Sequence, residues 1–258
     1  MVHLMHLEIL GGNLTITKFQ QDPTNVLDCG TGTGIWALEF GEEHPASRVL
    51  GIDLVPIQPD WVPVNVEFQV DDLEKDWSFN TQFDFIHSKT LGTSIKNWPR
   101  YIQQLYDATA PGGCIELSEH ALDGYNCDDD TMPADNAFSR YLEVMDTALK
   151  KVGVNPHLHS EDYRKMLEDV GFVDVKTYTF KVPAGGWAKK RSLRRIGLIM
   201  AETMKTGAEA YGLSLMTGLG GKTPEEARVL IEDVVEACLR PKMHAYYLEW
   251  YFTAKKPE

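Results

Sequence analysis

Residues 25–36 read Asn-Val-Leu-Asp-Cys-Gly-Thr-Gly-Thr-Gly-Ile-Trp, and this stretch decides the fold. Its apolar start predicts a short strand buried in a parallel sheet. Its three glycines tolerate positive φ angles and let a ligand approach bare backbone. Residues 36–40, Trp-Ala-Leu-Glu-Phe, then begin a helix. A strand, a glycine turn and a helix N-terminus together predict a nucleotide-sized site at the carboxyl edge of a sheet.

The spacing of the glycines bears on which ligand the turn binds. A dinucleotide fingerprint is Gly-x-Gly-x-x-Gly, with a pyrophosphate above the helix N-terminus. Here the third glycine comes one residue early, and Ile35 stands where the last glycine would be. Asp28, just before the glycines, would repel a pyrophosphate, whereas its carboxylate suits a cation such as an amino group or a sulfonium. Taken alone, the turn is also compatible with a tight strand-to-helix connection that binds nothing.

The composition narrows the class of protein. Of 258 residues, 43% are hydrophobic and 24% charged, as in globular domains. The formal net charge of −13 disfavours nucleic acids and anionic membranes as partners. No apolar run has the length of a membrane span and no signal peptide is recognisable, so we expect a cytoplasmic or nuclear protein. The four cysteines form no Cys-x-x-Cys pair, which predicts reduced thiols and no structural zinc.

Carboxylates follow the next two predicted strands. Residues 49–54 form the second strand, and Asp53 at its end is positioned to accept the ribose hydroxyls of an adenosine. The third strand, residues 64–70, precedes Asp71, Asp72 and Leu73. Side-chain alternation favours Asp72 over Asp71 as the acceptor of the adenine amino group. The alternatives are a helix cap or a loop carboxylate at Asp53 and solvated turn residues at 71–72.

The rest of the chain continues the alternation of strands and helices. We predict strands at 82–87, 114–119, 172–183 and 244–252, and helices near 97–106, 135–152, 160–170, 188–216 and 223–239. Ser94 or Asn97 is expected to cap the first of these helices and Ser160 the third, and Thr223 begins a capping box at the last. Residues 110–113 are expected to form a turn into the strand at 114–119. This order predicts an α/β fold with a mostly parallel, seven-stranded sheet and helices on both faces. About fifty helical residues separate the sixth and seventh strands, which suggests a lid or a partner surface.

Several of these motifs together resemble class I methyltransferases that use S-adenosylmethionine (SAM). They are the 28–34 glycine motif, Asp53, Asp72 and the Ala-Pro-Gly-Gly segment 110–113. Residues 28–36, 56–63, 83–87 and 94–98 are similar to the fungal LaeA-like methyltransferases. That resemblance implies a Rossmann-like fold, SAM as cofactor, a small-molecule or protein methyl acceptor, and a link to fungal secondary metabolism. Since some members associate with velvet-domain proteins, it also implies a regulatory protein partner, with a homodimer as the alternative.

The resemblance implies one domain over residues 1–258. Residues 1–20 would be the remnant of an N-terminal cover, 21–183 the SAM-binding core, 184–240 the helical insertion or lid, and 241–258 the last strand. Members of this family usually carry several dozen more N-terminal residues, including helices that fold over the cofactor. We therefore expect the SAM pocket to be open on one side, or to be closed by a partner or a second subunit.

The resemblance also carries site residues over to this chain. The cofactor would be held by residues at the ends of the first four strands: Asp28, Gly30, Thr31, Gly32, Asp53, Leu54, Asp72, Leu73 and His87. His87 and Glu119 are the candidate catalytic residues. His87 would be a general base if the methyl acceptor is a hydroxyl or an acid, because its unperturbed pKa lies near neutrality, and Glu119 is the weaker candidate. The alternative for His87 is contact with the cofactor alone. His120 is a weaker acid–base candidate, and the acidic run 128–130 is expected to be solvated and not to bind a metal.

Three functions are compatible with these residues. The first is an active methyltransferase. The second is a regulatory or interaction subunit with the same fold and a weak or vestigial cofactor site. The third is a related enzyme, such as a cyclase, that uses the pocket without transferring a methyl group.

Overall fold

The computed structural model describes residues 1–258 and contains seven helices and seven strands. In chain order they are α1 (Val2–Ile9), β1 (Asn25–Cys29), α2 (Ile35–Glu43), β2 (Arg48–Asp53), β3 (Val66–Val70), β4 (Phe83–Lys89), α3 (Trp98–Ala108), β5 (Thr109–His120), α4 (Ala137–Lys151), α5 (Ser160–Asp169), β6 (Val173–Pro183), α6 (Arg191–Gly218), α7 (Pro224–Leu239) and β7 (Tyr246–Lys255).

The seven strands form one sheet in the order β3-β2-β1-β4-β5-β7-β6. Strand β1 pairs in parallel with β2 on one side and β4 on the other. The pairs β2–β3 and β4–β5 are parallel as well. The strand order therefore reverses between β1 and β4. Sheets of this kind bind ligands in the crevice at the carboxyl ends of the strands at such a reversal. The predicted Rossmann-like sheet is confirmed.

The contacts divide the chain into two compact units. The glycine-turn unit comprises Asn13–Glu119, His159–Tyr178 and Trp250–Glu258, and the helical unit comprises Met1–Gly12, His120–Leu158 and Thr179–Glu249. The expected helical insertion is present, since α6 and α7 separate β6 from β7 along the chain.

The core of the glycine-turn unit follows from the sequence pattern. The apolar residues of β1 and β4 are fully buried, as expected for central parallel strands. Helix α3 begins at the predicted cap, where the Asn97 side chain accepts a hydrogen bond from Arg100 N. Its buried residues Trp98, Tyr101, Ile102 and Leu105 recur at the spacing of one helical face.

The helical unit is built around α6 and α7, which pack against each other and against α4. Helix α7 begins with the predicted capping box: Thr223 Oγ1 accepts from Glu226 N at 3.2 Å, and Glu226 Oε2 accepts from Thr223 N at 2.8 Å. No helix combines the length and the apolar composition needed to cross a bilayer.

Two predicted boundaries are wrong. Residues 110–113 were expected to form a turn before the fifth strand, but they lie inside β5, where its pairing with β4 shifts register between Phe83 and Phe85. The Gly112 amide, at φ 72°, donates to the carbonyls of Lys256 and Pro257. Pairing with the C-terminal residues thus occupies the segment whose composition indicates a turn. The second error concerns α5, which is capped by His159 and not by Ser160, because Asp162 accepts from His159 N.

The segment 13–19 has no regular structure, and hydrogen bonds to two buried side chains hold it, those of Glu116 and Trp36. Glu116, buried on β5, accepts from Ile16 N, Thr17 N and Thr17 Oγ1 at 2.7–3.2 Å. Trp36 Nε1 donates to Leu14 O at 3.0 Å. The segment is therefore anchored by hydrogen bonds to groups that the sheet and α2 already bury.

Replacing Glu116 with Gln should lower the free energy of unfolding by about 2 kcal/mol, because a charged acceptor of several backbone donors becomes a neutral one. The free energy is measured by urea unfolding monitored by circular dichroism. Limited proteolysis reports whether the segment 13–19 becomes easier to cleave. Glu67→Gln makes the same chemical change at an exposed position of β3 and should stay within about 0.5 kcal/mol of wild type. Equal effects of the two substitutions would contradict the anchoring role.

Candidate functional site

The turn between β1 and α2 depends on three glycines with positive φ, Gly30 at 68°, Gly32 at 57° and Gly34 at 79°. A Cβ on Gly30 would overlap the Leu91 side chain, and one on Gly34 would overlap the Phe68 ring. A Cβ on Gly32 would meet nothing within 4 Å. Packing therefore requires glycine at two positions, while Gly32 borders open space where a ligand can reach the backbone.

Hydrogen bonds fix the shape of this turn. Thr31 N donates to Ile52 O at 2.9 Å, and Gly32 N donates to Asp53 Oδ2 at 2.8 Å. Gln58 Nε2 donates to Gly32 O at 2.6 Å, which ties the proline-rich loop 56–63 to the turn. The role of Gln58 was not predicted. The only signal was its place in segment 56–63, one of the segments on which the resemblance to the LaeA-like methyltransferases is based.

Asp28 occupies the buried side of the turn. Its Oδ2 accepts from Thr31 Oγ1 at 2.6 Å, and its Oδ1 lies 2.7 Å from His87 Nδ1. The two residues are direct neighbours in the pairing of β1 with β4. The structure thus brings together Asp28, Thr31 and His87, three of the predicted site residues.

His87 is only 2% exposed, and its ring stacks on Trp36 with centroids 3.8 Å apart and planes 6° from parallel. Burial lowers the pKa of His87, and this effect outweighs the opposing influence of Asp28. A neutral His87 donates its Nδ1–H to the Asp28 carboxylate, which can only accept. The ring therefore has almost no edge that a methyl acceptor could contact. This burial does not fit the predicted role of His87 as a general base.

The adenosine-side candidates lie at the ends of β2 and β3. Asp53 accepts from Gly32 N and, through Oδ1, from Val55 N at 3.0 Å. Leu54 is 66% exposed. Asp72 is half-buried and accepts from Glu74 N at 3.0 Å, while Leu73 O accepts from Trp77 and Gln104 side chains.

Glu119, the other predicted catalytic residue, is fully buried. Its carboxylate accepts from Leu91 N at 2.6 Å and from Gly92 N at 3.0 Å. Both oxygens are thus committed to the backbone of the loop after β4, the loop whose Leu91 packs against Gly30. The geometry is that of a residue that positions this loop, and it does not match an acid or base that meets substrate.

The remaining candidates lie elsewhere. His120 belongs to the helical unit, where burial lowers its pKa to about 4. Within the acidic run, Asp128 accepts from Lys181 and Tyr246, and Asp129 from Thr131 and His244. No group of three or more His, Cys, Asp or Glu residues is arranged to hold a metal ion.

A family model described as a methyltransferase domain matches residues 3–177. The chain belongs to this methyltransferase family. The methyltransferase pytC of Aspergillus terreus is 39% identical over 260 residues, 100% of this chain and 79% of that protein. The secondary metabolism regulator LAE1 of Cochliobolus heterostrophus is 30% identical over 237 residues, 90% of this chain and 76% of that protein. The expected similarity to LaeA-like methyltransferases is confirmed.

A solved structure with the same fold is phosphoethanolamine N-methyltransferase 2 of Haemonchus contortus, in complex with SAM. It matches with a TM-score of 0.59 and 17% identity over 99% of this chain and 53% of that chain. The fold expected from the sequence is therefore confirmed, and the family match confirms the methyltransferase class.

The lowered pKa of His87 predicts a pH-dependent stability. Its folded-state pKa lies below the ordinary 6.5, so the unfolded chain binds the proton first and stability falls as the pH drops below about 6.5. His87→Asn keeps an N–H donor toward Asp28 but has no proton to gain. The difference in unfolding free energy between wild type and this variant should therefore shrink from pH 7 to pH 5 in urea titrations. A constant or growing difference would show that His87 is not held neutral.

Proposed function

We propose that this chain transfers a methyl group from SAM to a small molecule or protein of fungal secondary metabolism, and that the glycine turn holds the cofactor. The observation that carries the proposal is the arrangement around Gly32. One carboxylate, Asp28, lies on the buried side of the turn, a second, Asp53, bonds to its backbone, and open space borders the glycine. The family, and relatives whose names refer to secondary metabolism, support the same assignment.

The amino-acid end of SAM would lie on the turn itself. Gly32 offers backbone that no side chain shields, Gly30 and Thr31 lie beside it in the turn, and the Asp28 carboxylate attracts an ammonium group. Thr31 and His87 each occupy one oxygen of Asp28, so both oxygens retain a lone pair. Asp28 can thus act directly or through a water molecule.

The adenosine end would extend along the ends of β2 and β3. Both Asp53 oxygens already accept backbone N–H groups, which fixes the carboxylate and leaves lone pairs for two ribose hydroxyls. Leu54 and Val55 expose apolar surface beside Asp53, which an adenine ring would cover. Asp72 would accept the adenine amino group, and the Leu73 N–H would donate to a ring nitrogen.

The protein's contribution to the reaction is positioning. SAM, when bound, supplies a methyl group on a sulfonium centre, and transfer requires an in-line nucleophile and the exclusion of water. His87 would act through Asp28, because its ring is held between Asp28 and Trp36. Glu119 would act through Leu91, which it holds against Gly30. We assign both as positioning residues in place of the catalytic roles expected from the sequence.

Titration of the wild-type chain with SAM is the direct test, and Asp72 and Asp71 provide a matched pair. Asp72→Asn should weaken SAM binding about 10-fold, because the adenine amino group loses a charged acceptor. Asp71→Asn should leave it unchanged, since the amide oxygen can still accept from Asp72 N. Calorimetry measures both. Failure of the wild type to bind SAM contradicts the proposed function, and equal effects of the two variants contradict the adenine assignment.

A second candidate is supported by the regulator relatives: a methyltransferase-fold subunit that works as a homodimer or with a regulatory protein. It predicts that the chain co-purifies with a partner from its native cells and that light scattering gives a mass above the 29.1 kDa of one chain. A monomer without a partner that binds SAM would favour the enzyme acting alone.

A further inference from the structure

We propose that a cavity in the helical unit binds an organic cation, in which an amine is joined to an aromatic or other apolar body. The cavity has a volume of about 420 Å³, within the usual range of small-molecule sites. All its lining residues fall between Asp123 and His157, so it is formed within the helical unit alone. It shares no residue with the SAM site proposed above and does not depend on that proposal.

Helix α4 gives the cavity a polar wall. Ser139, Leu142, Glu143 and Asp146 line the cavity at the i, i+3, i+4, i+7 spacing of one helical face. An apolar stripe of α4 that includes Met145 packs instead with buried residues of α6 and α7. The residues of α4 that pack with α6 and α7 are therefore different from the polar residues that line the cavity.

Aromatic and apolar side chains form the rest of the lining. The Tyr125 and Phe138 rings stack with centroids 4.3 Å apart and planes at 29°. Met132 and Leu142 add apolar surface. Such a wall accommodates an apolar ring, and aromatic faces also attract cations.

The charges in the lining determine the sign of the ligand. Asp123, Glu143 and Asp146 all line the cavity, and no Lys or Arg does. His157 lies between two of these acids, with Nε2 2.8 Å from Asp146 Oδ1 and Nδ1 3.5 Å from Asp123 Oδ2. Even a protonated His157 would leave the lining negative.

Two features favour an organic cation over a metal ion or an anion as the ligand. The side chains of Asp123 and Asp146 are 23% and 24% exposed, so their attraction for a cation is screened less than at an open surface. The His157 cluster does not have the geometry for three ligands on one metal ion. Lys150 pairs with Asp146 Oδ2 at 2.8 Å from outside the lining, and Asp146 Oδ1 faces His157. Asp146 therefore acts on a ligand in the cavity through its charge and not through a direct bond.

The experiment compares phenethylamine with 2-phenylethanol, its neutral analogue, by ligand-observed NMR in about 150 mM salt, which screens attraction to the negative protein as a whole. The amine should bind about 10-fold more tightly than the alcohol. Asp123→Asn/Asp146→Asn should weaken amine binding about 10-fold and leave alcohol binding unchanged. No SAM is present, so the result is independent of the cofactor assignment.

A control variant removes the same charge elsewhere. Asp135 and Asp233 are exposed, pair with Arg140 and do not line the cavity, so Asp135→Asn/Asp233→Asn should bind the amine like wild type. If the cavity variant fails to fold, Glu143→Gln changes an exposed lining residue and should weaken amine binding about 3-fold. Equal affinity for amine and alcohol, or equal losses in the cavity and control variants, would overturn the proposal.

Discussion

The site rests on a buried contact between a carboxylate and an imidazole on neighbouring strands. Asp28 and His87 sit side by side on β1 and β4, and Glu116 is the next residue in register on β5. Three ionisable groups in the centre of a sheet would be costly if any of them lacked partners. Each of them has partners. Asp28 contacts Thr31 and His87, and the His87 ring also stacks on Trp36. Glu116 accepts from the backbone N–H groups at 16–17.

This row of polar groups connects parts of the glycine-turn unit that are distant in sequence. Thr31 belongs to the glycine turn and Trp36 to α2, while Leu14 and Thr17 belong to the N-terminal segment. A change in the charge of one of these groups alters which hydrogen bonds its neighbours must accept or donate. The geometry of the turn is thus linked to the anchoring of residues 13–17 through side chains that solvent scarcely reaches.

Much of this architecture was visible in the sequence because it depends on local rules. The glycine turn, the carboxylates at the ends of β2 and β3, and the Thr223 capping box all follow from residue type and spacing. His87 was predicted at the correct strand end, but its role depends on which face it shares with Asp28 and on Trp36 arriving from α2. The partners of Glu116 and Gln58 lie 99 and 26 residues away along the chain. No periodicity in one sequence encodes such pairings. The wrong prediction of a turn at 110–113 has the same cause, because the C-terminal residues that pair with this segment are far away along the chain.

Cys29, between Asp28 and the first glycine of the turn, has a further consequence. Burial raises the pKa of its thiol, so the closed turn keeps the sulfur both shielded and protonated, whereas Cys127 is only partly buried. Alkylating reagents can reach Cys29 only when this part of the sheet transiently separates. The labelling rate of Cys29, compared with that of Cys127, therefore measures how often the end of β1 next to the glycine turn opens in the folded protein.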